Sequence, residues 1–141
     1  LRVNLGASFL LTQRLLPCLR HPGDKSIVLI SSVVVRLGLG DSPAYTASKA
    51  GQIGMARHLA AELGREGIRV NCVLPGLVDT PGCRASNKPS DFETIPHERQ
   101  MVPVKIQPED IAHAVAFLAS PAARAITAAC LDVNGGAAVG G

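Results

Sequence analysis

The chain has 141 residues, of which 47% are hydrophobic and 3% aromatic, and 14 basic and 11 acidic side chains give it a formal net charge of +3. This length corresponds to one domain, and the scarcity of aromatic residues and the lack of a basic stripe argue against a nucleic-acid partner. No uncharged run reaches the roughly 18 residues of a membrane span, and the N-terminus lacks a signal-peptide pattern. We therefore expect a soluble, cytoplasmic protein without a nucleic-acid or membrane partner.

The cysteines are dispersed, with no CxxC pair and no histidine at ligand spacing. This pattern argues against a zinc site or a disulfide framework, so we expect no metal. We expect these thiols to act as small buried hydrophobes, with Cys83, beside Pro81 and Gly82, as the most exposed. The four are Cys18, Cys72, Cys83 and Cys130.

The first segment has a helical pattern, with apolar residues recurring at helical spacing from Leu5 to Leu19. Pro17 should kink or end this helix, and residues 21–24 (HPGD) should form a turn. Asn4 lies near the helix start, where composition alone is equally consistent with a polar cap or a surface residue.

A second segment, Ser26 to Val35, is apolar and rich in β-branched residues, which predicts a buried strand. A glycine-rich turn should follow from Leu37 to Pro43. Ser32 then lies at or just past the carboxyl end of the strand, and its neighbour Ser31 points to the opposite face. In isolation, such a serine pair is as well explained by hydrogen bonds to backbone groups of the turn.

The next helical pattern runs from about Ala44 to Arg65, and a glycine at its end fits a C-terminal cap. Tyr45 and Lys49 are four residues apart and therefore share a helix face. Opposite charges about 4 Å apart attract by roughly 4 kcal/mol at an effective dielectric constant near 20, so the ammonium should stabilise the phenolate. Such a phenol suits general acid and base catalysis, with the Ser32 hydroxyl available to hold a carbonyl oxygen.

Residues 68–76 (IRVNCVLPG) form a nearly continuous apolar run, as expected for a strand buried on both faces. A helix between two strands implies a right-handed parallel crossover and therefore an α/β sheet. Ligands of such sheets bind outside the carboxyl ends of the strands. Four residues follow at that end, although a plain Pro-Gly turn explains them equally well: Pro75, Gly76, Val78 and Thr80.

The segment from Pro81 to Pro103 is polar and lacks clear periodicity, which indicates a functional lid or a disordered loop. Residues 108–120 (PEDIAHAVAFLAS) predict an amphipathic helix with Pro108 in its first turn. A final strand is expected at residues 129–134, followed by a flexible Gly/Ala tail.

Ser32 precedes the Tyr45-xxx-Lys49 pair by 13 residues, and the segments VNLGASFLLTQ and PGLVDT lie before and after it. With these motifs the chain resembles the C-terminal part of a short-chain dehydrogenase/reductase, and the resemblance covers all 141 residues. The resemblance implies an α/β fold that is the C-terminal half of a Rossmann-like, doubly wound parallel sheet. The N-terminal strands, the TGxxxGxG turn and the NNAG segment are absent from this chain.

The resemblance also implies a function: an NAD(P)-dependent oxidoreductase that interconverts a ketone and a secondary alcohol. Its catalytic residues would be Asn4, Ser32, Tyr45 and Lys49, with Asn4 relaying protons through water to the lysine. Residues 81–106 would form the substrate loop, and the dinucleotide, NAD or NADP, would contact Tyr45, Lys49, Pro75, Gly76, Val78 and Thr80. The family's helical packing further implies a homo-oligomer, a dimer or tetramer, through the small residues Ala47, Ala50, Gly51 and Gly54.

Two departures from the family concern the loops: a short approach to the helix at Pro108, and Ala128 where a glycine is usual. The missing front half leaves an open strand edge at residues 25–32, a surface prone to pair with another strand. We therefore consider that this chain is a fragment of an active enzyme, either an incomplete sequence or a truncated product. The alternatives are a catalytically inactive form that pairs with full-length relatives, and an interaction module with an accidental YxxxK.

Overall fold

A parallel three-stranded sheet organises the chain in the computed structural model, which describes residues 1–21, 23, 25–38 and 42–139. Its strands are β1 (Lys25–Ile30), β2 (Ile68–Pro75) and β3 (Cys130–Val133), in the order β1-β2-β3. Cys72 in the central strand lies opposite Leu29 on one side and Cys130 on the other. Every residue of β2 except Arg69 and Pro75 is buried, as its continuous apolar run predicts. The α/β fold with a parallel sheet is thus confirmed.

Six helices surround the described part of this sheet. A π-helical turn (Arg2–Gly6) leads into the first of them. Pro17 lies inside that helix, and the helix continues for two more residues, to Leu19. The helices are α1 (Ala7–Leu19), α2 (Val34–Leu37), α3 (Pro43–Leu63), α4 (Pro81–Ser86), α5 (Asp91–Arg99) and α6 (Pro108–Ala119).

Helices α3 and α6 cover opposite faces of β2. Ile68, Val70, Cys72 and Leu74 join the buried core cluster that α3 contributes to through Ala56, Ala60 and Leu63. Arg69 points the other way, and its guanidinium donates to the Leu118 carbonyl of α6 at 2.6 Å. Side chains alternate along a strand, so these two sets mark the two faces. The central strand is therefore covered on both sides, which requires apolar residues at successive positions.

The end of β1 differs from the expectation. The strand stops at Ile30, and α2 (Val34–Leu37) begins inside the segment predicted to stay extended to Val35. The amide of Val33 still donates to the Pro75 carbonyl at 2.9 Å, and β2 itself ends there. Beyond that point no ladder partner from β2 remains, so the backbone turns despite its β-branched side chains. Residues 39–41 of the predicted glycine-rich turn, and 22 and 24 of the earlier turn, lie outside the described residues.

The polar segment after Thr80 is not an irregular loop: it contains α4 and α5. Thr80 caps α4, because its Oγ1 accepts from the Cys83 amide at 3.1 Å. Phe92 anchors α5 and is only 5% exposed. Helices of six and nine residues are too short to give a clear periodic pattern, and Pro96 inside α5 further masks it.

The cysteines follow their predicted roles only in part. Cys72 is buried, whereas Cys18 on α1 is exposed and Cys83 is half-buried, so the prediction that Cys83 is the most exposed was wrong. All four thiols are free, and the described residues contain no group of three or more ligating side chains fit for a metal ion. None of the described helices is long and apolar enough to cross a membrane.

Ala128 carries the one unusual backbone conformation among the described non-glycine residues, with φ of 60°. Its amide donates to the Val70 carbonyl at 2.8 Å, so the turn before β3 is fixed by the pairing with β2. The side chain is thus held where glycine is favoured. This is a physical reason for a glycine to be usual at the position.

We expect Ala128→Gly to raise the free energy of unfolding by about 1 kcal/mol, measured by urea denaturation. A Cβ costs roughly 1–2 kcal/mol in this region, and the greater freedom of glycine in the unfolded chain removes part of that gain. The matched control is Ala61→Gly on the exposed face of α3, which should lower stability by about 1 kcal/mol. A loss of stability in both variants would contradict the assignment of strain to Ala128.

Candidate active site

Tyr45 and Lys49 lie on the first two turns of α3, which begins at Pro43. The Lys49 ammonium is 5.6 Å from the centre of the Tyr45 ring. This is the shared helix face that their spacing predicts. Tyr45 keeps 37% of its surface exposed, so the ring remains accessible from the cavity beside it.

Lys49 also connects the helix to the sheet. Its Nζ donates to the carbonyl of Ile30, the last residue of β1, at 2.7 Å. Burial lowers the pKa of this ammonium, and the nearby thiol of Cys72 opposes the shift weakly. The Lys49 ammonium is thus partly buried, and two of its three donor hydrogens remain for other partners.

The two serines after β1 have different surroundings. Ser32 lines the cavity that also contains Tyr45, and its Oγ accepts from the Val34 amide at 3.4 Å. Ser31 instead donates from its Oγ to the Lys49 carbonyl at 2.9 Å, which ties the sheet to α3. Because successive side chains point to opposite faces, Ser32 lines the cavity and Ser31 bonds to α3.

The cavity has a volume of about 500 Å³ and opens at the carboxyl end of the sheet. One wall comes from the segments after β1 and β2, including Gly76 and Leu77, and the other from the α4–α5 region. Such a position suits a ligand site in an α/β sheet. The lining residues that the sequence analysis did not single out as cavity residues include Asn87, Arg99 and Gln100; no motif marks them, because the fold of the α4–α5 region brings them there.

Asn4 lies away from this cavity but within a polar network on α3. Its Nδ2 donates to Ser48 Oγ at 3.1 Å, and Ser48 Oγ donates to the Tyr45 carbonyl at 2.6 Å. The Asn4 carbonyl accepts from Gln52 Nε2 at 2.9 Å and from Ser8 Oγ at 2.8 Å. Both ends of Asn4 are thereby fixed, in a π-helical turn of the kind often found at functional sites.

Asn4 and Lys49 share a second cavity of about 460 Å³ along the open edge of β1. No direct hydrogen bond joins their side chains in the described structure. Gln52 also lines this cavity, and its Oε1 is buried without a hydrogen-bond partner among the described residues. A buried acceptor without a donor calls for a water molecule, so this cavity suits water close to both Asn4 and Lys49.

The four residues at the carboxyl end of β2, Pro75, Gly76, Val78 and Thr80, lie in different environments. Gly76 is the one of the four that lines the main cavity. A Cβ at this glycine would lie 3.0 Å from Asn134 Cα and from Ile106 Cδ1, so a larger residue would crowd both neighbours. Val78 is buried and bridges to Ile106, while Thr80 caps α4. Pro75 ends β2, and its carbonyl holds the Val33 amide.

We expect Lys49 to titrate below 10.5, the ordinary value for a lysine, because burial disfavours its charged form. Stability should then rise with pH between the lowered pKa and 10.5, since the unfolded chain binds more protons in that window. The 13Cε shift of Lys49 in a lysine-labelled sample measures this, with Lys49→Arg identifying the signal. Titration at or above 10.5 would contradict the burial of the ammonium.

Comparison with curated proteins gives a consistent set of relatives. A family model described as enoyl-(acyl carrier protein) reductase matches residues 1–138. The (3R)-3-hydroxyacyl-CoA dehydrogenase of Rattus norvegicus is 43% identical over 138 residues, which cover 95% of this chain and 51% of that protein. The 3-oxoacyl-[acyl-carrier-protein] reductase FabG of Aggregatibacter actinomycetemcomitans is 40% identical over 139 residues, covering 96% and 55%. The chain thus spans about half the length of these relatives.

Solved structures extend the comparison to the fold. A short-chain dehydrogenase/reductase from Brucella melitensis superposes with a TM-score of 0.88 at 32% identity, covering 98% of this chain and 54% of that one. A 4-hydroxyisoleucine dehydrogenase complexed with NADH and succinate gives 0.84 at 30% identity, covering 98% and 57%. A blue fluorescent protein from a metagenomic library, in complex with NADPH, gives 0.84 at 36% identity, covering 97% and 53%. The chain therefore belongs to the short-chain dehydrogenase/reductase family, and it corresponds to the C-terminal part of the family's domain.

Proposed function

We propose that this chain carries the proton-transfer half of an NAD(P)-dependent oxidoreductase that interconverts a ketone and a secondary alcohol. The observation that carries the proposal is the joint position of Ser32 and Tyr45 in one cavity, with Lys49 one turn further along α3. A hydroxyl and a phenol facing the same space can both contact one carbonyl oxygen. That arrangement suits acid and base catalysis at the oxygen.

In the direction of reduction, the phenol of Tyr45 gives its proton to the carbonyl oxygen while the carbon receives a hydride. Ser32 holds the same oxygen: its Oγ already accepts from the Val34 amide, so its own proton is available to donate. In the oxidation of an alcohol, Tyr45 takes the hydroxyl proton back. Ser32 and Tyr45 thus orient the substrate and move its proton.

Lys49 and Asn4 support this step. The ammonium of Lys49 lies 5.6 Å from the centre of the Tyr45 ring, and its remaining donor hydrogens suit the hydroxyls of a ribose. Asn4 borders the same cavity of about 460 Å³ as Lys49 and is held by Ser48 and Gln52. We propose that this space holds the water through which Lys49 exchanges protons with solvent.

The residues present fit part of a dinucleotide site. The nicotinamide group supplies or accepts the hydride when bound. Gly76 lines the main cavity beside Ser32 and Tyr45, and Lys49, which borders the second cavity, has donor hydrogens to spare. The residues that we propose to hold the cofactor are Tyr45, Lys49, Pro75, Gly76, Val78 and Thr80. NADH and NADPH both occur in similar structures, so either NAD or NADP is compatible.

The substrate that we propose is a small carbonyl compound or alcohol. The cavity is of the size of ordinary small-molecule sites. Similar proteins act, by their names, on hydroxyacyl-CoA and on 3-oxoacyl groups held by a carrier protein. A substrate of this chain would place its carbonyl at Ser32 and Tyr45 and the rest of its structure toward the α4–α5 wall, residues 81–99.

We also propose that the chain forms a homo-oligomer, a dimer or tetramer, through the outward face of α3. The small residues there divide into two groups. A Cβ at Gly51 would come within 2.8 Å of Leu5, so this glycine serves packing within the chain. Ala47, Ala50 and Gly54 are exposed, and a Cβ at Gly54 would meet nothing within 4 Å. These three leave room for the backbone of a second helix.

A second candidate function is non-catalytic pairing with longer relatives. The observation that favours it is the open edge of β1, which has β2 on one side and the 460 Å³ cavity on the other. An unpaired strand edge is a template for another strand. A folded chain that bound neither dinucleotide and co-purified with a longer relative would favour this function over catalysis.

We expect Tyr45→Phe and Ser32→Ala each to lower kcat by about 10²–10⁴, the usual contribution of a positioned acid or base. Turnover is measured on a panel of ketones with NADH and NADPH, after circular dichroism confirms the fold. Calorimetric titration with both dinucleotides separates loss of chemistry from loss of binding, since neither change should abolish cofactor binding.

Ser31→Ala is the matched control for Ser32. Its hydroxyl is buried and bonded to the Lys49 carbonyl, so its loss should lower stability by about 1 kcal/mol while most of the activity remains. Equal losses of kcat in the two serine variants, or full activity of Tyr45→Phe, would overturn the proposed roles.

We expect Ala50→Glu to shift the protein toward the monomer, because a buried charge at a helix contact is costly. Light scattering coupled to size exclusion gives the mass in solution. Ala85→Glu, at an exposed position on α4 rather than α3, serves as the control and should leave the mass unchanged. A wild-type chain that is monomeric at all concentrations would refute the proposed contact.

A further inference from the structure

The cavity beside Tyr45 contains a single ionised side chain among its described lining residues, that of Arg99. Arg99 is the last residue of α5 and lies on the wall that the α4–α5 region provides. Much of the remaining lining is apolar, including Val33, Leu37 and Ile95. Arg99 is an exposed residue, and one cation in an otherwise uncharged cavity marks where a negative group of a ligand would bind.

Two other cations of this part of the chain are already neutralised by acidic side chains. Arg84 pairs with Asp79, with a second contact at 2.8 Å, and Lys105 contacts both Asp79 and Glu93. Within the described part of the chain, no acidic side chain forms an ion pair with Arg99. The guanidinium of Arg99 therefore keeps its five donors for solvent or a ligand.

A basic residue in the last turn of a helix is also favoured by the helix dipole. That effect explains a cation at the end of α5, but not why this one borders the cavity. His97, in the same turn, lies outside the cavity lining. The helix dipole therefore accounts for a basic residue at the end of α5, and the fold accounts for the position of this residue in the cavity wall.

The backbone after Arg99 is held in place. In the orientation that satisfies both ends of its amide, Gln100 Nε2 donates to the carbonyls of Val102 at 3.0 Å and Val104 at 2.8 Å. The Val102 amide donates to the Gly135 carbonyl at 2.9 Å, which joins this segment to the turn after β3. These bonds anchor the chain on the carboxyl side of Arg99, so its side chain extends from a fixed position.

We infer that Arg99 binds an anionic group of the substrate, a carboxylate or a phosphate, while the carbonyl to be reduced lies at Ser32 and Tyr45. This inference rests on the proposed function of the same cavity. Guanidinium groups bind both anions through paired hydrogen bonds. The preferred substrates would then be oxo acids or acyl groups on a phosphate-bearing carrier, rather than neutral ketones.

The test compares matched probes in which one member carries the anionic group and the other carries a neutral group in its place. For the carboxylate, 4-oxopentanoate is set against 4-oxopentanamide; for the phosphate, 3-oxobutanoyl pantetheine 4′-phosphate is set against its dephosphorylated form. Binding is followed by NMR shifts and turnover by oxidation of the reduced dinucleotide, each with wild type, Arg99→Gln, Arg99→Lys and the distant exposed control Arg65→Gln.

We expect Arg99→Gln to weaken binding of one anionic probe about tenfold and to leave its neutral partner unaffected. Arg99→Lys should restore part of the loss, and Arg65→Gln should behave as wild type. The arm that responds identifies carboxylate or phosphate as the recognised group.

The outcomes separate this inference from the proposed function. Binding that depends on Arg99 without turnover of any probe would support the anion site and count against the oxidoreductase. Turnover of charged and neutral probes that Arg99→Gln lowers equally would overturn the anion site alone. So would no binding of either anionic probe, or a loss in Arg99→Gln that concerns the dinucleotide and not the substrate.

Discussion

The parallel pairing of β1 with β2 is the constraint on which the site depends. It aligns the carboxyl ends of the two strands, so Ser32 and Gly76 emerge side by side into one cavity. The pairing also fixes where β1 stops, because β2 ends at Pro75 and offers no further ladder partner. The turn that follows places Ser32 in the lining of the cavity, where the residue is 9% exposed, instead of continuing the strand.

Helix α3 carries the second half of the site because it is fixed to this sheet at both ends. Its buried residues pack on β2 along the second half of the helix, from Ala56 to Leu63. At its start, Lys49 donates to the Ile30 carbonyl and accepts from Ser31 through its own carbonyl. Tyr45 needs no direct anchor in the sheet, since one turn of helix separates it from this doubly bonded lysine.

The polar contacts around α3 have a further consequence. Ser48 and Gln52 hold Asn4 from one side of the helix, while Tyr45 and Lys49 face the strand ends. Tyr45 lines the first cavity and Lys49 the second, so one turn of α3 separates the two spaces. The proton path that we propose runs past this turn, from the cavity to the open side of β1.

The sequence by itself determined the α/β class and the family, and it singled out Ser32, Tyr45 and Lys49 as a candidate site. Apolar runs typical of strands and the i,i+4 spacing are local properties that a sequence displays directly. It could not determine that Val34–Leu37 turn into a helix, since that depends on where a distant strand ends. Nor could it find α4 and α5, whose short lengths hide their period, or the place of Arg99 in the cavity wall. Only the tertiary structure decided these, because contacts between residues far apart in the chain override local propensity there.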